Sequence, residues 1–191
     1  IADNPDVPVV QMDSVIGNKS GKVLLTMFSR NTNLLLAFLR DHNTARSVLD
    51  VFNDLYAMFG RETYCRLFPV ILTDRGSEFS NPVPIEQDEN DELRSLVFYC
   101  NPSAPYQKGG IEVAHELVRR VLPKGKSFDD LQQEDIDLML SHINSYKRGK
   151  LNSRPAYQLF NFIYGDDILP KLNIREIEAN DIVLSPKLLK K

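Results

Sequence analysis

Two aspartates leave apolar runs of this chain in the same way. Asp13 lies within Val9-Val10-Gln11-Met12-Asp13-Ser14-Val15-Ile16, and Asp74 follows Pro69-Val70-Ile71-Leu72-Thr73. An ionised carboxylate is costly to withdraw from water unless it is paired, hydrogen-bonded or bound to a cation, so two of them on hydrophobic strands point to a metal site. Glu112 supplies a candidate third ligand. Hard divalent cations such as Mg²⁺ take oxygen donors of this kind, keep several waters and accept substrate phosphates. Two ions about 3.5 to 4 Å apart could activate a nucleophile and stabilise the leaving oxygen of an in-line phosphodiester displacement. Each residue also has a plainer reading. Asp13 could be a solvated strand-end aspartate, Asp74 a turn aspartate before Arg75-Gly76, and Glu112 a first-turn glutamate favoured by the helix dipole, with Glu116 one turn on as its rival.

The elements that must position these side chains are legible from hydrophobic spacing. Pro8 to Ile16, Lys22 to Ser29 and Leu34 to Leu39 are rich in aliphatic residues and separated by the turns Gly17 to Gly21 and Arg30 to Asn33, which predicts a three-stranded antiparallel meander. Asn43-Thr44 then cap a helix carrying Val48, Phe52, Leu55 and Phe59 and ending near Gly60. A fourth strand, Val70 to Thr73, follows that crossover and is predicted to lie parallel in the same sheet. Pro82 to Leu93 reads as an acidic surface excursion, and Leu96 to Cys100 as a short buried fifth strand. After the loop Asn101 to Gly110, helices are predicted over Ile111 to Leu122, Glu134 to Tyr146 and Pro155 to Ile163, with Pro155 in the first helical position. The result is an α/β chain with a mixed sheet flanked by helices, and such sheets place ligands at strand ends.

With 191 residues, of which 42% are hydrophobic and 26% charged, the chain can bury one substantial core. No apolar stretch reaches the roughly 18 residues of a membrane helix, and no secretory signal opens the sequence, so a soluble cytoplasmic protein without a membrane partner is expected. Cys65 and Cys100 have neither zinc nor disulfide spacing, and reduced, buried thiols are expected. The net charge of −3 and a pI near 5.7 argue against tight DNA binding by this chain alone. Ile1 stands where an initiator Met would, and the expectation is a piece of a longer protein whose remainder carries most of the DNA affinity.

Three blocks together resemble a known family. Met12-Asp13-Ser14-Val15-Ile16-Gly17, Leu72-Thr73-Asp74-Arg75-Gly76-Ser77-Glu78-Phe79 and Pro105-Tyr106-Gln107-Lys108-Gly109-Gly110-Ile111-Glu112 are similar to the catalytic blocks of bacterial insertion-sequence transposases of the thirty type, relatives of retroviral integrases. The resemblance runs from about Pro8 to Phe160. It implies a ribonuclease H-like fold over residues 1–173, with a five-stranded sheet of three antiparallel and two parallel strands, and a C-terminal tail at 174–191. It also implies a DDE site of Asp13, Asp74 and Glu112 holding two Mg²⁺ or Mn²⁺ ions, which cleaves transposon ends and joins the freed 3′-hydroxyl to target DNA without a covalent protein intermediate. A homodimer or larger homo-oligomer on DNA, in the bacterial cytoplasm and at the nucleoid, is implied as well.

Arg119, seven residues after Glu112 and on the same helix face, matches the family's accompanying basic residue and is expected to meet a DNA phosphate. Tyr106, Gln107 and Lys108 are candidates for stacking, hydrogen bonding and phosphate pairing, and Lys124 leads a basic cluster with Lys126 that is matched by Lys147, Arg148 and Lys150. A plain polar loop and solvated helix ends are the alternatives for these. Gly109-Gly110 before the helix are expected to let the loop adopt positive φ and move over substrate. His42, His115 and His142 lack mutual metal-ligand spacing, and His115 is expected on the helix surface near the site. The chain departs from the family pattern in the 37-residue spacer 75–111 and in Val113-Ala114-His115 after the glutamate. The rival functions are a ribonuclease H-like nuclease that hydrolyses without joining, and a noncatalytic DNA-binding or assembly module.

Overall fold

A computed structural model describes residues 7–18, 21–101, 105–148 and 154–189. Three strands, β1 (Val9–Ile16), β2 (Val23–Ser29) and β3 (Leu35–Arg40), pair antiparallel as a meander. After the crossover helix α1 (Ala45–Leu67), β4 (Val70–Thr73) pairs parallel to β1, and β5 (Leu96–Tyr99) pairs parallel to β4. The sheet order is therefore β3-β2-β1-β4-β5, the mixed sheet expected from the sequence. Part of the expected first turn, 19–20, and of the expected loop, 102–104, lies outside the described residues, as does Lys150.

Side-chain alternation divides the sheet into two faces. Val10, Met27, Leu34 and Leu36 line one space with Phe59 and Leu67 of α1 and Phe160 and Tyr164 of α5 (Ala156–Tyr164). Gln11, Asp13, Thr26 and Phe28 face α3 (Gly109–Val121), whose buried stripe is Ile111, Ala114, Leu117, Val118 and Val121. One continuous core joins these layers with α4 (Gln133–Ser145).

Helix α1 begins where expected: Thr44 accepts from Ser47 N at 3.2 Å, and Ser47 completes a capping box. Its first stretch ends at Gly60, as expected. Gly60 breaks the helix with φ 72°, and a second stretch runs on to Leu67 because Tyr64 and Leu67 bury there. The acidic excursion also differs from expectation. It contains a short helix, α2 (Val83–Glu86), with Ile85 buried, and Arg94 behind it is buried against the rings of Tyr56 and Tyr64.

Strand β5 is not buried: Leu96 and Phe98 are 41% and 43% exposed, since β5 is the sheet edge. Cys65 and Cys100 are unpaired but only half-buried. Pro155 is the N-cap of α5 in an extended conformation, with the first helical position taken by Ala156. The segment after α6 (Ile168–Lys171) lies along α4: Ser141 Oγ accepts from Arg175 N at 3.1 Å, and Ser145 Oγ accepts from Ile177 N at 2.9 Å. No helix among the described residues is long and apolar enough to cross a membrane.

Candidate active site

Parallel pairing of β1 with β4 aligns Gln11 with Leu72, and extending that register two residues brings Asp13, midway along β1, beside Asp74, the residue that follows the C-terminal end of β4. Thr73 Oγ1 donates to Met12 O at 3.2 Å and ties the two strands just before the acids. Each aspartate divides its oxygens in the same way. Asp13 Oδ1 accepts from Ser14 N at 2.8 Å and Asp74 Oδ1 from Gly76 N at 2.9 Å, while both Oδ2 atoms meet Lys108 Nζ, at 3.0 and 2.9 Å. Desolvation pushes the Asp74 carboxyl up, but the Lys108 ammonium and the Gly76 N–H outweigh it and hold the group below the ordinary carboxylate range. Burial acts to lower the Lys108 pKa, and its bonds to Asp74 and Asp13 reverse the effect, leaving it above the usual lysine value.

Gln11 fixes the loop that delivers Lys108. Buried in β1 two residues before Asp13, its Nε2 donates to Gln107 O at 2.8 Å and its Oε1 accepts from Ile111 N at 2.8 Å. One side-chain amide thus spans the turn Pro105–Lys108 and the start of α3, and satisfies an N–H that the first helical turn leaves unpaired. Reasoning from sequence missed Gln11. A glutamine inside the apolar run Val9-Val10-Gln11-Met12 was the available signal, because a buried amide must bond something specific.

Gly109 and Gly110 belong to α3 itself and are not among the glycines with positive φ, so the positive φ expected of them is corrected. Gly110 is needed for closeness: a Cβ there would stand 2.5 Å from Phe28 Cε1 and 2.9 Å from Gln11 Oε1. Glu112 sits in the first turn of α3 and is exposed, as is Glu116. Among the described residues, no three His, Cys, Asp or Glu side chains converge closely enough to hold one metal ion. What converges is the Asp13–Asp74 pair, joined by an ammonium. The donor set fits a hard cation, since two carboxylate oxygens from adjacent strands already close on one positive centre.

The remaining candidates divide into engaged and displayed side chains. Gln107 is engaged, its Oε1 accepting from Asn101 N at 2.8 Å, and Lys108 is engaged with the aspartates. Arg119 turns to the end of β1 and donates to Ile16 O at 3.0 Å, with burial lowering its pKa. Tyr106 is displayed, 79% exposed, and Lys124, Lys126 and Lys147 are exposed. His115 is half-buried and packs toward the sheet: its Nε2 lies 2.8 Å from Thr26 Oγ1, which also donates to Asp13 O at 2.9 Å. The surface position expected for it is corrected. A second polar network flanks Asp74, in which Asn43 accepts from Arg40 at 2.8 Å and donates to Glu78 at 3.0 Å.

No protein-family model matches the chain. It is 27% identical over 151 residues to a reading frame assigned as an integrase, ORF3 of Spiroplasma virus SpV1-R8A2 B, covering 79% of this chain and 45% of that protein. It is 25% identical to the transposase of insertion sequence IS4351 of Bacteroides fragilis, over 78% of this chain and 41% of that one. The InsI transposase of IS30A of Escherichia coli K12 is 22% identical over 77% of this chain and 36% of its own length. The chain spans less than half the length of these relatives.

Among solved structures, the catalytic core of bovine immunodeficiency virus (BIV) integrase matches with TM-score 0.51 and 21% identity, over 82% of this chain and 92% of that one. A simian T-cell lymphotropic virus intasome in complex with a PP2A regulatory subunit matches with TM-score 0.57 and 16% identity, over 91% and 59%. The fold is the ribonuclease H-like one expected from the sequence. In sequence the chain is thus similar to insertion-sequence transposases and to an integrase, IS30 transposases among them, and in fold to a retroviral integrase catalytic core.

Proposed function

We propose that this chain is the catalytic core of a DDE transposase, which cleaves phosphodiesters at transposon ends and joins the freed 3′-hydroxyls to target DNA. The observation that carries this reading is the convergence of Asp13 Oδ2 and Asp74 Oδ2, from adjacent parallel strands, on a single cationic nitrogen. Asp13, Asp74 and Glu112 would hold divalent metal, Mg²⁺ or Mn²⁺ and two ions, which supplies nucleophile activation and leaving-oxygen stabilisation when bound. Ser14 N and Gly76 N orient the aspartates so that one oxygen of each faces the shared centre. Glu112, exposed on the first turn of α3, enters from the side as that helix end adjusts. Tyr106 and Lys124, both exposed, are the side chains assigned to DNA, by stacking and by phosphate pairing.

The catalytic core is assigned to residues 1–173 and the C-terminal tail to 174–191. The partners are transposon-end and target DNA, and joining two ends calls for at least a homodimer. One observation favours a second reading, a noncatalytic DNA-binding module: Lys108 fills the space between the aspartates and Glu112 faces outward.

A strand-transfer assay separates these readings. The chain is incubated with Mn²⁺ or Mg²⁺, target plasmid and a labelled pre-cleaved transposon end. Joined products that vanish with Asp74→Asn support the transposase. Shortened fragments without joining indicate a nuclease, and DNA binding without metal uptake indicates the assembly module.

A further inference from the structure

Lys108 has the surroundings of a bound cation, unlike a lysine displayed to DNA. Its side chain is 9% exposed, and its two ionic partners approach from two different strands. A buried ammonium without such partners would be strongly disfavoured, so the pairing is what holds it in place. The aspartates need it as well: two carboxylates aimed at one point repel each other unless a positive charge lies between them. The turn bearing Lys108 is anchored through Gln107 O and Ile111 N, both backbone groups, so its four-carbon side chain can withdraw without breaking that anchorage. The site is open to ions, since the Asp13 and Asp74 side chains are 25% and 48% exposed.

We propose that Lys108 is a resident counter-ion holding the cation position between Asp13 and Asp74, and that a divalent ion loads only by displacing its ammonium. The inference rests on the reading of these aspartates as metal ligands. A divalent ion and an ammonium cannot share the two oxygens, because they repel at such separations and each needs the same lone pairs. The exchange replaces one positive charge by two opposite a pair of carboxylates, which favours the metal. Its apparent affinity is nevertheless reduced by the fraction of molecules in which Lys108 is seated. Displacement moves the Lys108 charge out of the protein and toward the mouth of the site.

The test is Mn²⁺ binding measured by calorimetry on the wild-type chain, Lys108→Met and Asp74→Asn. The expected result is that Lys108→Met binds Mn²⁺ on the order of 10-fold more tightly than wild type, with Asp74→Asn weaker than both. Lys108→Met should also melt below wild type in EDTA and gain more in Tm from Mn²⁺. Equal or weaker Mn²⁺ binding by Lys108→Met, with Asp74→Asn still impaired, overturns the counter-ion role and leaves the metal-ligand reading standing. Absence of Mn²⁺ binding by wild type and Lys108→Met alike overturns that reading and the inference with it. Should Lys108→Met not fold, lysine acetylation of the wild-type chain, followed by mass spectrometry, decides. Labelling of Lys108 should rise with Mg²⁺ while that of Lys124 stays constant, and unchanged Lys108 labelling at saturating Mg²⁺ contradicts displacement.

Discussion

Asp13 and Asp74 each give one oxygen to a neighbouring backbone N–H and the other to a shared positive charge, so the site chemistry is set by side chains with little freedom to point elsewhere. Asp74→Asn keeps the shape and the Gly76 N–H contact but removes the charge. Strand cleavage is expected to fall at least about 100-fold while the circular dichroism spectrum stays native, and wild-type turnover would contradict the role of Asp74. Gly110 makes a second prediction at this scale. Gly110→Ala forces a methyl against Phe28 and Gln11, and should lower the free energy of unfolding by about 1–3 kcal/mol in a urea titration. The two aspartates were legible because a charge inside an apolar run demands a partner. Lys108 was legible only as a positive charge in a polar loop; its actual partners lie 34 residues or more away in sequence, a pairing that spacing does not encode. Glycine before a helix suggested freedom, whereas Gly110 serves close approach, which depends on Phe28 of β2.

Helix α4 shows what polar residues do on a buried element. Asn144 is fully buried and pairs with the open edge of β3, accepting from Leu35 N at 2.9 Å and donating to Leu35 O at 2.8 Å. Gln133 does the same further along, accepting from Leu39 N and donating to Ala37 O. Side-chain amides thus cover a strand edge that would otherwise recruit another chain. Asn144→Leu would leave buried backbone groups unpaired and is expected to cost about 1–3 kcal/mol, measured by chemical denaturation.

On the same helix, His142 Nδ1 accepts from Val183 N at 3.1 Å, which requires the neutral ring, and burial lowers its pKa from the usual 6.5. The unfolded chain therefore takes up a proton near pH 6.5 that the folded chain refuses. The stability from this group is complete above that pH and is lost as pH falls toward the depressed folded value, and His115, lowered mainly by desolvation, acts in the same direction. Unfolding titrations at pH 7.5 and 5.5 should show lower stability at pH 5.5, and His142→Asn should reduce the difference. Hydrophobic periodicity revealed α4 itself, but the polar stripe that anchors residues 174–184 followed no period and stayed hidden. Strand β5 misled for the opposite reason: an apolar run says that a strand is hydrophobic, not whether anything covers it.

For the molecule as a whole, the meander, the crossover helix and the parallel fourth strand were legible in the sequence, whereas the order of the strands in the sheet came from the structure. Charge is a whole-molecule property too. With 23 basic against 26 acidic residues, and with Lys108 and Arg119 engaged with the protein's own oxygens, the cations that face outward are outnumbered by carboxylates and leave no net positive charge to neutralise phosphates. DNA affinity of this chain should be weak, with a log–log salt slope shallower than about −4 by fluorescence anisotropy, and a steeper slope would reveal a basic face unaccounted for. The central claim is that three acids, distant in sequence, act on one cation centre. It is tested most directly by anomalous scattering from a crystal grown with Mn²⁺. The account predicts a manganese peak between Asp13 Oδ2 and Asp74 Oδ2, with Glu112 turned in and Lys108 withdrawn. A crystal at saturating Mn²⁺ with no peak there and Lys108 still on both aspartates would contradict it.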